Sequence, residues 1–161
     1  MIEQTIDSIG YYGPVILFAF GLYALFERTP FYIAFVFGNI SNSLLNMVLK
    51  NIIREPRPSP VIKYDDIKSY DYYGFPSGHA QSVFFSLAFV FLAKGPAAFI
   101  FIMACISVLT LYQRWKYKKH SVKQLFAGSI VGILYAVFVI YLTNNYLTNN
   151  YQIKKSGVFQ I

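Results

Sequence analysis

Phe75-Pro76-Ser77-Gly78-His79, followed by the apolar run Ala80 to Ala93, is the stretch from which the rest of the chain is read. A polar loop becomes an apolar helix at this point. Ser77 is a natural N-cap, because its hydroxyl can accept from an orphaned backbone N–H of the first turn. Those N–H groups and the positive end of the helix dipole favour an anion in front of the helix. Gly78 lets a ligand approach the backbone closely. His79, one of only two histidines in 161 residues, can donate or accept a proton near neutral pH. Taken alone, the pentapeptide is also an ordinary turn leading into a helix, so its meaning depends on its surroundings.

Those surroundings are apolar. Hydrophobic residues make up 56% of the chain and charged residues 13%, against about 25% charged in a soluble domain. Five apolar runs stand at about 11–26, 31–49, 80–93, 97–112 and 122–142. Between them lie Glu27-Arg28-Thr29-Pro30, a long loop over 51–78, Lys94-Gly95-Pro96 and a basic cluster over 113–121. A membrane-spanning helix needs about 17–25 residues. The expectation is one all-α domain over 1–161, an integral, multi-pass bundle of about five transmembrane helices. It would have a polar or interfacial lead over 1–10 and a polar tail over 143–161. Glu3 and Asp7 deny the N-terminus the positive region of a cleaved signal peptide. Cys105 is the single cysteine, so it forms no intrachain disulfide. The net charge of +7 sits between membrane-length runs, which argues against nucleic acid as the partner.

Asn39, Asn42, Ser43 and Asn46 recur at helical spacing and lead to Lys50. Polar groups in hydrocarbon face protein or water, so the stripe either bonds a neighbouring helix or lines a polar chamber. Gly128 and Gly132 form a small-xxx-small pair, the mark of close helix contact. The loop 51–78, rich in proline and tyrosine, reads as a lid, a binding loop or an inert interfacial segment. Five spans put this loop and the basic cluster on the same side of the membrane. Lys50, Arg57, His79, Arg114 and His120 therefore converge. Three cations and helix N–H donors suit a phosphate, and two histidines beside it supply a nucleophile and a general acid. The chemistry indicated is phosphoryl transfer from a phosphate monoester. Headgroup binding accounts for Lys116, Lys118 and Lys119, but not for His120.

The spacing of these residues resembles the type 2 phosphatidic acid phosphatase (lipid phosphate phosphatase) superfamily. Lys50, six residues and then Arg57-Pro58 is similar to its first motif. Pro76-Ser77-Gly78-His79 matches the second, and Arg114, five residues and then His120 the third. The resemblance covers about residues 31–135. It implies that His120 attacks phosphorus to form a phosphohistidine and that His79 protonates the leaving alcohol. It further implies that Lys50, Arg57, Ser77, Gly78 and Arg114 bind the phosphate. No metal or other cofactor is implied, and the partner is a phospholipid or another lipid phosphate in the membrane.

Some features depart from the family pattern. Gln113 stands where the family has Ser, which removes a phosphate hydrogen bond. Gln124 replaces the Asp one helical turn after the nucleophile, where the side chain meets the histidine ring. An amide can accept from the ring N–H and fix its tautomer, but it carries no charge. In the serine protease triad, loss of the corresponding charge costs about 10⁴ in turnover. The expectation is an integral-membrane lipid phosphate phosphatase, in which Asp66 or Asp71 could supply the missing charge by folding over the site; the alternative is a weakly active or inactive relative. Such a relative would bind lipid phosphate or serve as a structural membrane protein. A channel or transporter subunit would use the asparagine stripe and leave both histidines unexplained. Five spans are also one fewer than the family's usual six.

Overall fold

A computed structural model describes residues 2–58 and 72–148. Among them are five α-helices: α1 (Ile2–Leu25), α2 (Thr29–Ile53), α3 (Gly78–Leu92), α4 (Ala97–Lys116) and α5 (Val122–Leu142). A π-helical turn over Thr143–Thr148 follows α5. All but α3 are long and apolar enough to cross a membrane. At 15 residues, α3 is about 22 Å long, short of the ~30 Å hydrocarbon core. Phe37, Leu44, Phe101, Val108, Phe126 and Leu134 stand exposed on α2, α4 and α5, the face a multi-pass bundle turns to lipid.

Three helices run further than apolarity alone indicates. α1 begins at Ile2 rather than at 11, because its first turns are tied to the end of α4. Lys116 Nζ lies 2.8 Å from both Glu3 Oε1 and Asp7 Oδ2, and the Tyr117 hydroxyl donates to Asp7 Oδ2 at 2.6 Å. α4 continues to Lys116, so Gln113 and Arg114 stand on its last turn and not in a loop. α2 continues to Ile53 and stops where Arg54 turns left-handed (φ 54°). Basic residues favour a helix C-terminus through the dipole, so helix outlasts the hydrophobic run.

The starts follow local chemistry. Pro30 opens α2, where its missing N–H costs nothing. Ser77 caps α3, and Ser121 with Gln124 forms a capping box at the start of α5.

α3 touches all four other helices. Its Phe85 and Phe89 are fully buried with Phe35 of α2, their ring centroids 5.4–6.3 Å apart. Phe18 of α1 stacks on Phe35 at 5.7 Å, and Tyr135 of α5 lies 5.9 Å from Phe85. At the end away from His79, Arg28 donates to the carbonyls of Ala93 and Lys94 and lies over the Phe31 ring.

The asparagine stripe is spent on α3. Gln81 Nε2 donates to the Asn42 backbone oxygen at 2.9 Å and to Asn42 Oδ1 at 2.8 Å. Asn46 Nδ2 donates to Gln81 Oε1 at 2.8 Å and to the Pro76 carbonyl at 3.2 Å. Ser86 Oγ donates to Asn39 Oδ1 at 3.3 Å. Of the two readings, the inter-helix bond holds, because Gln81 spends its donors on Asn42 while Asn46 spends its own on Gln81 and Pro76. Ser43 falls outside the network: it is exposed and bonds its own helix at Asn39.

The glycine pair brings α5 onto α3. A Cβ at Gly128 would stand 2.4 Å from the Ser77 carbonyl oxygen, and one at Gly132 would stand 2.2 Å from that of Gln81. Neither neighbour can yield, since both are backbone. Gly132→Ala is therefore expected to cost about 1–3 kcal/mol, read as a lower melting temperature in detergent. A variant that melts with the wild type would mean that α3 and α5 do not hold this contact.

Candidate active site

The site is assembled from both ends of the loop after α2, the start of α3 and the turn between α4 and α5. Lys50, on the last turn of α2, is buried, and its Nζ donates to the Tyr73 carbonyl at 2.9 Å. The Gly74 N–H donates to the Glu55 carbonyl at 2.8 Å, beside a single antiparallel bridge between Pro56 and Tyr73. The two ends of the loop are thereby joined. Asp65, Asp66 and Asp71 lie outside the described residues.

Arg57 reaches from this base to the turn after α4. Its Nη1 donates to the Lys119 carbonyl at 2.9 Å and lies 3.2 Å from His120 Nε2. A guanidinium only donates, so Nε2 is the bare nitrogen and the ring proton sits on Nδ1. Nδ1 faces Gln124 Oε1 at 3.3 Å. Partners on both sides fix the orientation of that amide. Oε1 also accepts the Ser121 N–H at 3.2 Å, while Nε2 donates to the Pro56 carbonyl at 2.9 Å and to Glu55 Oε1 at 3.1 Å. Gly74 lies flat on the amide, where a Cβ would stand 2.5 Å from Oε1.

Gln124 thus meets the ring as its spacing indicates. A carboxylate missing from the sequence reading stands one amide further on: Glu55. The available signal was an acid between Lys50 and Arg57, in Glu55-Pro56-Arg57-Pro58.

Burial, then the charges of Arg57, Arg114 and Lys50, hold His120 well below the ordinary imidazole range, so the ring is neutral at neutral pH. Glu55 is held below the usual carboxylate range by the Lys123 ammonium at 2.9 Å, and by Gln124 against the cost of its partial burial.

The other histidine is approached from α1, a helix in which the sequence reading found no motif. Tyr11 accepts a hydrogen bond from the His79 ring at its backbone carbonyl, and its own ring lies 6.1 Å from that of His79. The Arg114 guanidinium sits over the same tyrosine, 5.3 Å from its centroid. Arg114 is buried and donates from Nη1 to Gln113 Oε1 at 3.2 Å. Tyr11 and Gln81 were both missed, because nothing in their spacing marks them as neighbours of motif residues.

Ser77 and Gly78 have less to offer a ligand than the pentapeptide suggests. The Ser77 N–H donates to the Gln124 backbone carbonyl at 3.0 Å. Its hydroxyl oxygen accepts from the Ala80 N–H at 3.4 Å, which leaves the hydroxyl hydrogen for a ligand. The space beside the Gly78 Cα is taken by Asn46, whose Oδ1 would lie 3.0 Å from a Cβ. Among the described residues, no group of three His, Cys, Asp or Glu side chains could hold a metal ion.

The class is that of an all-helical, multi-pass membrane protein, with three cations and two histidines gathered at one end of its bundle. The chain belongs to the PAP2 superfamily, whose sequence model matches residues 31–147. It is 31% identical over 125 residues to lipid phosphate phosphatase epsilon 1, chloroplastic, of Arabidopsis thaliana, covering 73% of this chain and 42% of that protein. It is 29% identical over 104 residues to dolichyldiphosphatase of Saccharomyces cerevisiae, covering 63% of this chain and 36% of that one. The chain spans about two fifths of the length of the first curated relatives it matches. Its fold is that of a transmembrane PAP2 type phosphatidylglycerolphosphate phosphatase from Bacillus subtilis. The TM-score is 0.70 at 21% identity, over 90% of this chain and 78% of that one.

The depressed His120 has a consequence for stability. Below its unfolded pKa of about 6.5, the unfolded chain binds a proton that the folded ring refuses. Stability is then full above that pH and declines as pH falls through it. The melting temperature in detergent should fall from about pH 7.5 to about pH 5.5, on either side of that pKa, and His120→Asn should flatten that slope. An unchanged slope would show that the buried ring titrates as it does in the unfolded chain.

Proposed function

We propose that this chain hydrolyses a lipid phosphate through a phosphohistidine on His120, without a metal. The reading is carried by one observation: the bare Nε2 of His120 faces Arg57 at 3.2 Å, while its Nδ1–H is backed by Gln124. The nucleophilic nitrogen is therefore free of its proton and turned toward the cations. A bound phosphate would take the place of His120 as the partner of Arg57, and Lys50, Arg114, the Ser77 hydroxyl and the start of α3 would share its charge. Nε2 attacks phosphorus, the P–O ester bond breaks, and His79, entering the step as an imidazolium balanced by the bound phosphate dianion and keeping one N–H on the Tyr11 carbonyl, gives the leaving oxygen its other proton. The ring becomes a phosphorylated imidazolium that keeps its Nδ1–H on Gln124. Water then attacks phosphorus and yields a proton to His79. The P–N bond breaks, which returns neutral His120 and releases phosphate.

Three fixed cations supply the charge stabilisation for which other phosphatases use a metal, and this supports metal independence. The names of the relatives, a lipid phosphate phosphatase and dolichyldiphosphatases, support a lipid-linked phosphate or diphosphate as substrate. The neutral amide at Gln124 favours a second reading, a relative that binds lipid phosphate and turns it over slowly or not at all.

Phosphate release from short-chain phosphatidic acid and a prenyl diphosphate, in detergent with a chelator, separates the two. Wild-type protein should be active, His120→Ala should lose at least about three orders of magnitude, and radiolabelled phosphate should be trapped on His120 by acid-free quenching. Activity that disappears with the chelator would overturn metal independence. Tight binding without release would favour the binder.

The role of His79 is testable separately. His79→Ala should slow an alkyl phosphate much more than p-nitrophenyl phosphate, whose leaving group needs no proton. Equal slowing of both would remove His79 from the role of acid.

A further inference from the structure

We propose that Glu55 is the carboxylate of the nucleophile, acting on His120 through the Gln124 side chain. The inference rests on the phosphohistidine reading and assigns the charge that this reading leaves unsupplied. Attack turns the neutral His120 ring into a cation, in a buried place already surrounded by Arg57, Arg114 and Lys50. A buried cation without a nearby anion is costly. The chain of bonds runs from His120 Nδ1 to Gln124 Oε1 at 3.3 Å, and from Gln124 Nε2 to Glu55 Oε1 at 3.1 Å. An amide bonded at both ends is polarised in one sense: its oxygen gains negative character toward the ring as its N–H₂ leans on the carboxylate. Gln124 thereby transmits a charge it does not carry.

The geometry is overdetermined, as a positioning role requires. Glu55 Oε2 is held by Lys123 at 2.9 Å, which leaves Oε1 to the amide. Its backbone carbonyl accepts the Gly74 N–H, and Gly74 has no side chain to displace the amide from the ring. The Gln124 Nε2 has a second acceptor in the Pro56 carbonyl, and its Oε1 a second donor in the Ser121 N–H. An Asp at 124 is a methylene shorter than Gln and has no N–H to offer Glu55. It would also set two carboxylates near one another, so the pair functions as Glu55 with Gln124, or as Asp alone.

The test is kinetic and uses the full chain in detergent. Glu55→Gln keeps an acceptor for Gln124 and removes only the charge. We expect it to lower kcat for short-chain phosphatidic acid about 10- to 100-fold, less than direct loss of a triad carboxylate, with KM changed little and the melting temperature retained. Moving the charge to the ring, in Glu55→Gln combined with Gln124→Asp, should recover most of that loss. Orthovanadate, a mimic of pentacoordinate phosphorus, should bind Glu55→Gln about 10-fold more weakly than wild type, while inorganic phosphate binds equally. Wild-type kcat in Glu55→Gln would overturn the proposal. So would a loss of the same size whether residue 124 is Gln or Asp, which marks a structural prop. If the wild-type protein releases no phosphate from any substrate, the phosphatase reading has failed, and the vanadate comparison alone decides. A Glu55→Gln protein that binds vanadate as the wild type does, or a wild type that binds none, then overturns the role of Glu55.

Discussion

Gln124 is the point to which the site is tied. Its backbone carbonyl takes the Ser77 N–H at the start of α3. Its side-chain oxygen takes the His120 ring and the Ser121 N–H, and its side-chain nitrogen gives to Glu55 and Pro56 beyond the end of α2. Three stretches far apart in the chain, 55–56, 77 and 120–124, meet at one residue that is itself 1% exposed. A buried amide with both ends satisfied specifies one geometry, because any other leaves a polar atom without a partner in a low-dielectric place. The same residue closes the capping box of α5. Helix start, histidine tautomer and loop closure are therefore a single event.

Close approach of α3 and α5 is the condition for this knot. Gly128 and Gly132 let the α5 backbone lie against the carbonyls of Ser77 and Gln81, which brings Ser77 within reach of Gln124. On its other side, α3 is locked to α2 by Gln81 with Asn42 and Asn46. Hydrophobic burial distinguishes poorly between helix partners in lipid, since lipid is as apolar as a leucine. Polar register and small residues therefore determine which helix lies against which. Phe35, Phe85 and Phe89 then fill the volume so defined.

α1 contributes more than a span. Glu3 and Asp7 hold Lys116, and Asp7 takes the Tyr117 hydroxyl, so the end of α4 is pinned just before the turn that carries His120. One turn of α1 further on, Tyr11 backs both Arg114 and His79. The acids that make residues 1–10 look like a polar lead are the ones that keep them helical.

Much was legible in the sequence. Five helices, four of them long and apolar enough to cross a membrane, followed from apolar runs and their breakers, since hydrocarbon demands that every backbone group be satisfied within a helix. The family followed from Lys50, Arg57, His79, Arg114 and His120 at their spacings, and the contact of residue 124 with His120 from a one-turn separation. What the sequence could not determine depends on side chains that meet across the fold. No periodicity pairs Glu55 with Gln124, which are far apart in the chain, or puts Tyr11 of the first helix beside His79. Spacing likewise leaves open whether Asn42 and Asn46 face a chamber or Gln81. Helix and span are decided by neighbours along the chain, and so are written in it. The charge behind His120 is decided by where a loop end comes to rest, and only the tertiary structure contains that.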